Sequence, residues 1–240
     1  MITLQTINSR WQAHPTMVRI AAPPTLNADT VITYVLPVEP ADGTQYGNGF
    51  AQFVALGLHV QHNTIVAGPT FSAMPWYGDH PTVRTLQQAR YFMEDVVPRV
   101  AAHYGRRKQL LLGFSKSGVG ALSLLLRHPD QFFAAAVWDA PLMVETPDQW
   151  EMASVFGTSE QYARFRVKSL LAANAAALRQ RRRIALHGYG IFRDHIRAAH
   201  DDLDALGVPH MFACDDYHEH RWDSGWLPAC AAALVQLAGE

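Results

Sequence analysis

"LLLGFSKSGVGALSLLL", residues 110–126, sets Gly113, Ser115, Ser117, Gly118 and Gly120 between two runs of leucine. A short apolar run closed by glycine, followed by a longer one with small residues at its start, reads as a buried strand, a tight turn and a helix that is apolar almost all round. Ser115 falls at the corner. For its hydroxyl to stand clear of so tight a turn, the residues two before and two after it must be small, because the two arms crowd each other there. Gly113 and Ser117 meet that demand. Ser117 fails the same test as a nucleophile, since the residue two positions beyond it is the β-branched Val119. The stretch is therefore a G-x-S-x-G nucleophile elbow with Ser in place of its last Gly, in the strand-to-helix context that gives the pattern meaning. Gly118 and Gly120 let the helix lie close to neighbouring strands. A phosphate-binding loop is the rival reading, but no G-x-G-x-x-G and no P-loop lysine motif accompanies the glycines.

Outward from this corner, β-branched or apolar runs alternate with helical patterns, which predicts crossover units around a mainly parallel sheet with helices on both faces. "VITYVLPV", "TIVAGPTF", "KQLLLGF", "FFAAAVWDAP", "RIALHGYG" and "PHMFACDD" read as strands. "GFAQFVALGLHVQH", "RTLQQARYFMEDVVPRVAAHY", "HIRAAHDDLDALGV" and "WLPACAAALVQLAGE" read as helices, the second bent or split by Pro98, the last starting near Pro228. Residues 142–180 lack strand character and form a helical excursion that could roof a pocket. We expect residues 1–240 to form one domain, a usual size for such a sheet.

Composition narrows the function. A hydrophobic share of 49% with 17% charged residues suits a globular chain, and a formal charge of -1 gives no reason to expect nucleic acid or an anionic membrane as partner. The opening "MITLQTINSRWQAHPTMV" lacks a signal-peptide core, and no stretch approaches the roughly 18 apolar residues of a spanning helix, so the expected address is the cytoplasm. Cys214 and Cys230 are the only cysteines and are expected to be packed thiols. The basic run "RQRRR" at 179–183 reads as a solvated edge.

A serine hydroxyl is a poor nucleophile until a base takes its proton. Of the 12 histidines, His218 and His220 in "DDYHEHRWDSGW" lie between the last strand and the closing helix. We take His220 as the base and His218 as the fallback. "HEH" also permits a metal reading, since residues two apart on an extended chain face the same way, but no carboxylate or Cys stands nearby at clear ligand spacing, so no metal is expected. For the acid that orients the imidazole, Asp139 in "AVWDAP" competes with Asp194 in "GYGIFRDH". An Asp between Trp138 and Ala140 at a buried strand end is costly without a partner, which favours Asp139.

With Ser115 and His220 placed, the chain from about residue 30 onward resembles the esterase-D-type "putative esterase" family of the α/β hydrolases. "GFSKSG" matches the family's G-x-S-x-x-G. "TFSAMPWYGDH" at 70–80 resembles its aromatic loop after the fourth strand, "YFMEDVVPRVAAHYG" its helix leading to the nucleophile strand, and "HRWDSGW" its His followed by two Trp. Three positions depart from the pattern. "PVEPADG" replaces the His-Gly pair that helps form the oxyanion hole. Ile191 stands where the strand-7 acid is usual, which favours Asp139 again. Ser117 replaces a Gly, a small-for-small change expected to be harmless.

The resemblance implies an α/β-hydrolase fold and a serine esterase without cofactor, acting on a small-molecule ester. In it the Lys116 backbone N–H would help hold the oxyanion, and Phe71, Trp76, Tyr77 and Trp222 would line the substrate pocket. An acyltransferase with the same three residues, or an inactive binding protein on the same fold, are the alternatives the departures leave open.

Overall fold

The computed structural model describes residues 2–240. Its eight strands form one sheet in the order β1-β2-β4-β3-β5-β6-β7-β8. The parallel part comprises β3 (Val31–Val35), β4 (Thr64–Pro69), β5 (Gln109–Phe114), β6 (Ala134–Trp138), β7 (Ile184–Tyr189) and β8 (Met211–Tyr217). Every residue of β3, β4, β5 and β6 is buried, because crossover helices cover both faces; such strands read as unbroken apolar runs rather than alternating ones.

The two faces have separate cores. Ile32, Tyr34, Leu111, Ala135 and Val137 point into one, with α5 (Lys116–Arg127), α8 (Val167–Leu178) and α9 (Arg193–Ala205). Their neighbours Val31, Val35, Leu110, Leu112 and Ala136 point into the other, against α1 (Gly49–Ala55) and α10 (Leu227–Gly239). This alternation along each strand is the period of two that a pleat imposes. Helix α5 lies tight on the sheet, where a Cβ at Gly118 would meet Val137 and Ala140 and one at Gly120 the Tyr77 ring.

The structure adds or alters four features. Two antiparallel strands, β1 (Ile2–Ile7) and β2 (Thr16–Ala21), extend the sheet before residue 30, and β2 pairs antiparallel with β4. β1 is the half-exposed sheet edge, so it lacks the apolar run that betrays the central strands. The helix expected over 49–62 breaks into α1 and α2 (Leu58–Gln61) at Gly57, whose φ of +67 is left-handed. The helix carrying Pro98 is α3 (Gln88–Tyr91), a π turn over Phe92–Val96, and α4 (Val97–Tyr104) with the proline in its first turn, where a missing N–H costs little. Finally, "RQRRR" is not simply solvated. Arg183 is buried and donates from Nε to the Phe133 carbonyl at 3.0 Å and from Nη2 to the Pro129 and Phe132 carbonyls, which caps the turn into β6.

Residues 142–180 hold α6 (Met152–Phe156), α7 (Ser159–Ala163) and α8. Cys214 and Cys230 are free and buried, and burial pushes the Cys230 thiol up. Among the described residues, no helix is long and apolar enough to cross a membrane.

Candidate active site

The corner after β5 is strained. Ser115 sits at φ 52 and ψ -127, a region that residues with a Cβ rarely occupy. What makes it bearable is the small residue on either side. A Cβ on Gly113 would lie 2.2 Å from the Ser117 carbonyl oxygen, so no larger residue fits. Ser117 then stitches the turn, accepting from the Phe114 N–H at 3.0 Å and donating to the Phe114 carbonyl at 2.9 Å. The Ser115 N–H donates across to the Trp138 carbonyl at 3.1 Å. Ser115 thus ends at the first turn of α5, whose leading amides point at whatever occupies the corner.

His220, in the loop between β8 and α10, comes to this corner from more than a hundred positions away. Its Nε2 lies 3.0 Å from Ser115 Oγ and its Nδ1 lies 2.6 Å from Asp139 Oδ2. Aromatic rings fix the imidazole: Phe114 at 4.4 Å between centroids, Phe192 at 5.4 Å and Tyr46 at 5.7 Å. His218 is elsewhere, its Nδ1 2.9 Å from the Ser224 carbonyl, so "HEH" does not converge on one point.

Asp139 follows β6 directly and is itself at φ 41. It is wholly buried, yet no lone pair is wasted. Oδ1 accepts from the N–H groups of Gly190 at 3.0 Å and Phe192 at 2.9 Å, while Oδ2 accepts from the Ile191 N–H at 3.0 Å and faces His220. A buried carboxylate with three amide donors and an imidazole has its charge met on every side. Asp194 lies in the first turn of α9, and among the described residues the carboxylate bonded to His220 is that of Asp139.

The aromatic wall expected from sequence is placed differently. Phe71, Trp76, Tyr77 and Trp222 are all at most 2% exposed, and each is spent on packing. Phe71 packs edge-on against Tyr77 and Tyr91. The Tyr77 hydroxyl donates to the Pro37 carbonyl at 2.7 Å, Trp76 Nε1 donates to the Trp150 carbonyl, and Trp222 lies under Gly49 at the start of α1. The rim of the site is instead Tyr46, Phe192 and the half-exposed Trp150, whose ring meets Phe192 edge-on at 5.5 Å. Sequence reasoning missed these three because they stand in loops, where no periodicity marks a side chain as facing the site.

The Lys116 ammonium reaches over Tyr46, 5.7 Å from the ring centroid. Burial pushes its pKa down, and the charges of Glu39 and Glu151 pull it part of the way back. In the loop after β3, Pro37 has no N–H to offer; the next amides, of Val38 and Glu39, donate to no group among the described residues.

A mostly parallel sheet with a strained serine at the strand-to-helix corner after β5 is the α/β-hydrolase fold. The sequence model of the family described as "Putative esterase" matches residues 78–191, a span that holds the Ser115 corner and Asp139. No curated protein matches the sequence. Among solved structures, a ferulic acid esterase is 17% identical with a TM-score of 0.71, over 100% of this chain and 98% of its own. The substrate-bound fluorophosphonate-binding serine hydrolase F of Staphylococcus aureus is 15% identical with a TM-score of 0.78, over 100% and 99%. The S-formylglutathione hydrolase of Agrobacterium tumefaciens is 13% identical with a TM-score of 0.70, over 98% and 95%. At these identities the likeness is one of fold.

Proposed function

We propose that the chain hydrolyses carboxylic esters through an acyl-serine intermediate, with Ser115 as nucleophile, His220 as base and Asp139 as the group that orients it. The single observation that carries this reading is the unbroken line of contacts from Ser115 Oγ to His220 Nε2 at 3.0 Å and from His220 Nδ1 to Asp139 at 2.6 Å. Ser115 Oγ attacks the ester carbonyl as its proton passes to His220 Nε2; Asp139 holds the proton on Nδ1 and supports the imidazolium. The oxyanion accepts from the free N–H of Lys116 at the start of α5, a donor of the kind worth about 3 to 4 kcal/mol of barrier. A second donor is assigned to the unengaged amides of Val38 and Glu39, in the loop where the family has its His-Gly pair. His220 returns the proton to the departing alcohol. It then activates water to release the acid and restore the serine.

Transfer of the acyl group to an alcohol would use the same intermediate. The His220 side chain is 12% exposed, so water reaches the base, which favours hydrolysis. The substrate is a small ester whose acyl or alcohol group rests on Tyr46, Trp150 and Phe192, and no cofactor takes part in any step.

The test is hydrolysis of p-nitrophenyl esters of graded chain length by wild type and Ser115→Ala. The expected loss in kcat is about 10⁴-fold or more. A fluorophosphonate should label wild type once and leave Ser115→Ala unlabelled. Equal rates for the two proteins would overturn the assignment.

A further inference from the structure

Away from this corner, on the α9 side of β8, a second group of side chains converges that the esterase reading does not use. We propose that His200, Asp204 and His210 bind a divalent transition-metal ion of the Zn²⁺ class. Helix α9 places His200 and Asp204 one turn apart on the same face, with His200 Nε2 3.5 Å from Asp204 Oδ2. The short connection out of α9 returns His210, just ahead of β8, so that its Nε2 lies 2.7 Å from His200 Nδ1. One nitrogen from each ring and a carboxylate oxygen all lie within 4.8 Å of one another.

Three features distinguish this from a chance meeting of polar groups. First, His210 Nδ1 lies 2.9 Å from the Val208 carbonyl, so it carries the proton and donates it there. That leaves a lone pair on Nε2 directed at His200, the orientation that a backbone carbonyl imposes on metal-bound imidazoles. Second, the His200 ring stacks flat on Phe212, 3.9 Å between centroids at 3°, so its plane is held as well. Third, exposure is graded. The His210 side chain is 3% exposed, His200 27% and Asp204 64%, a buried floor with an open third ligand past which an ion can enter.

The hydrogen shared by the two imidazoles occupies the place of the ion. Tetrahedral ligands at about 2.0–2.1 Å from zinc stand roughly 3.3 Å apart, so His200 Nδ1 and His210 Nε2 need to part by about half an ångström, and the exposed Asp204 carboxylate, now nearest His200 Nε2, has to swing toward them. Two imidazoles and a carboxylate suit Zn²⁺, Ni²⁺ or Cu²⁺ rather than Mg²⁺ or Ca²⁺, and leave the remaining position to water. The bound ion would tie the exposed edge strand β8 to α9. No sequence motif announces the site, because its ligands fall on a helix and a loop at spacings that only the αβ connection brings together.

The experiment is calorimetric titration of the purified chain with ZnCl₂, repeated on His200→Ala, Asp204→Asn and, as a control for binding at the catalytic corner, His220→Ala. The expected result is one ion per chain with micromolar affinity, weakened at least about tenfold in His200→Ala and less in Asp204→Asn, and unchanged in His220→Ala. The melting temperature of wild type should rise with Zn²⁺ concentration and that of His200→Ala should not. His200 is partly exposed, so its replacement tests the site without emptying the buried floor that His210 fills. An absence of saturable uptake, or equal affinity in His200→Ala with its circular dichroism intact, would overturn the proposal; so would loss of binding in His220→Ala alone.

Discussion

Two strand ends carry the same strain by different means. Ser115 and Asp139 both take positive φ without being glycine, at 52 and 41, and such conformations cost about 1–3 kcal/mol each unless the surroundings over-determine them. At Ser115 the support is local: Gly113 makes room and Ser117 binds the Phe114 backbone in both directions. At Asp139 it comes from β7 and the loop after it. The Asp139 N–H donates to the His187 carbonyl at 3.0 Å, and the amides of residues 190–192 close on the carboxylate. A strained serine corner can be written into a few consecutive residues, whereas a buried carboxylate has to be completed by a segment fifty positions on.

The sharpest way to break this comparison is to exchange the two candidate acids. Asp139→Asn keeps the shape of the side chain but leaves His220 Nδ1 facing an amide, and kcat for ester hydrolysis should fall about 10⁴-fold. Asp194→Asn, on the first turn of α9 and not hydrogen-bonded to His220, should leave kcat within a few-fold of wild type. Steady-state kinetics on one chromogenic ester reads both. A large loss in Asp194→Asn with none in Asp139→Asn would reverse the assignment of the acid.

The same contrast explains what the sequence could tell. The central strands and the α5 corner were legible because their signals are short-range: apolar runs, and small residues two positions either side of Ser115. Asp139 was legible for a different reason, the expense of a carboxylate beside Trp138, but its amide donors were not, since nothing in "GYGIF" marks those N–H groups as turned toward β6. β1 escaped notice because a half-exposed edge strand need not be apolar. The four aromatics expected at the pocket are at most 2% exposed. Their rings pack on Gly49, Tyr91, Trp150 and one another, while the exposed edge beside His220 falls to Tyr46, Trp150 and Phe192. The Ser-for-Gly change at 117 looked neutral by size, yet its hydroxyl makes two hydrogen bonds that a glycine could not.

Next in size is a change that disturbs Asp139 without replacing it. A Cβ on Gly190 would lie 2.2 Å from Asp139 Oδ2, and Gly190 is not at positive φ, so Gly190→Ala tests crowding alone. Displacing the carboxylate by the order of an ångström should lower kcat about 10²-fold with the fold retained. On the other side of the comparison, Ser117→Ala removes two buried hydrogen bonds from the elbow and should cost about 1–3 kcal/mol in stability by denaturant unfolding, with kcat within a few-fold. If Ser117→Ala instead lost activity as heavily as Gly190→Ala at equal stability, the hydroxyl would be part of the chemistry and the local support would need another source.

The smallest effect follows from the histidines that stand behind Asp139 and not behind Ser115. His187 lies on β7, its Nε2 buried without a partner, and burial lowers its pKa. His195, on α9, accepts the Met143 N–H at Nδ1 at 3.1 Å, and burial lowers its pKa too, against the pull of Asp194 and Asp139. Above the ordinary histidine value of about 6.5 both are neutral folded or unfolded and contribute no pH dependence. Below it the unfolded chain takes up protons first, so stability falls as pH drops from that value toward the lowered folded one. Unfolding of Ser115→Ala, which removes turnover from the measurement, should therefore show a midpoint that falls as pH drops below about 6.5, and His187→Gln should flatten that slope. The loosening should appear at the β6–β7 corner before it reaches the elbow. Protection factors, which divide out the slower intrinsic amide exchange in acid, should fall on acidification at Gly190, Ile191 and Phe192 while those of α5 hold, and a uniform fall in both would mean that the two corners open as one unit.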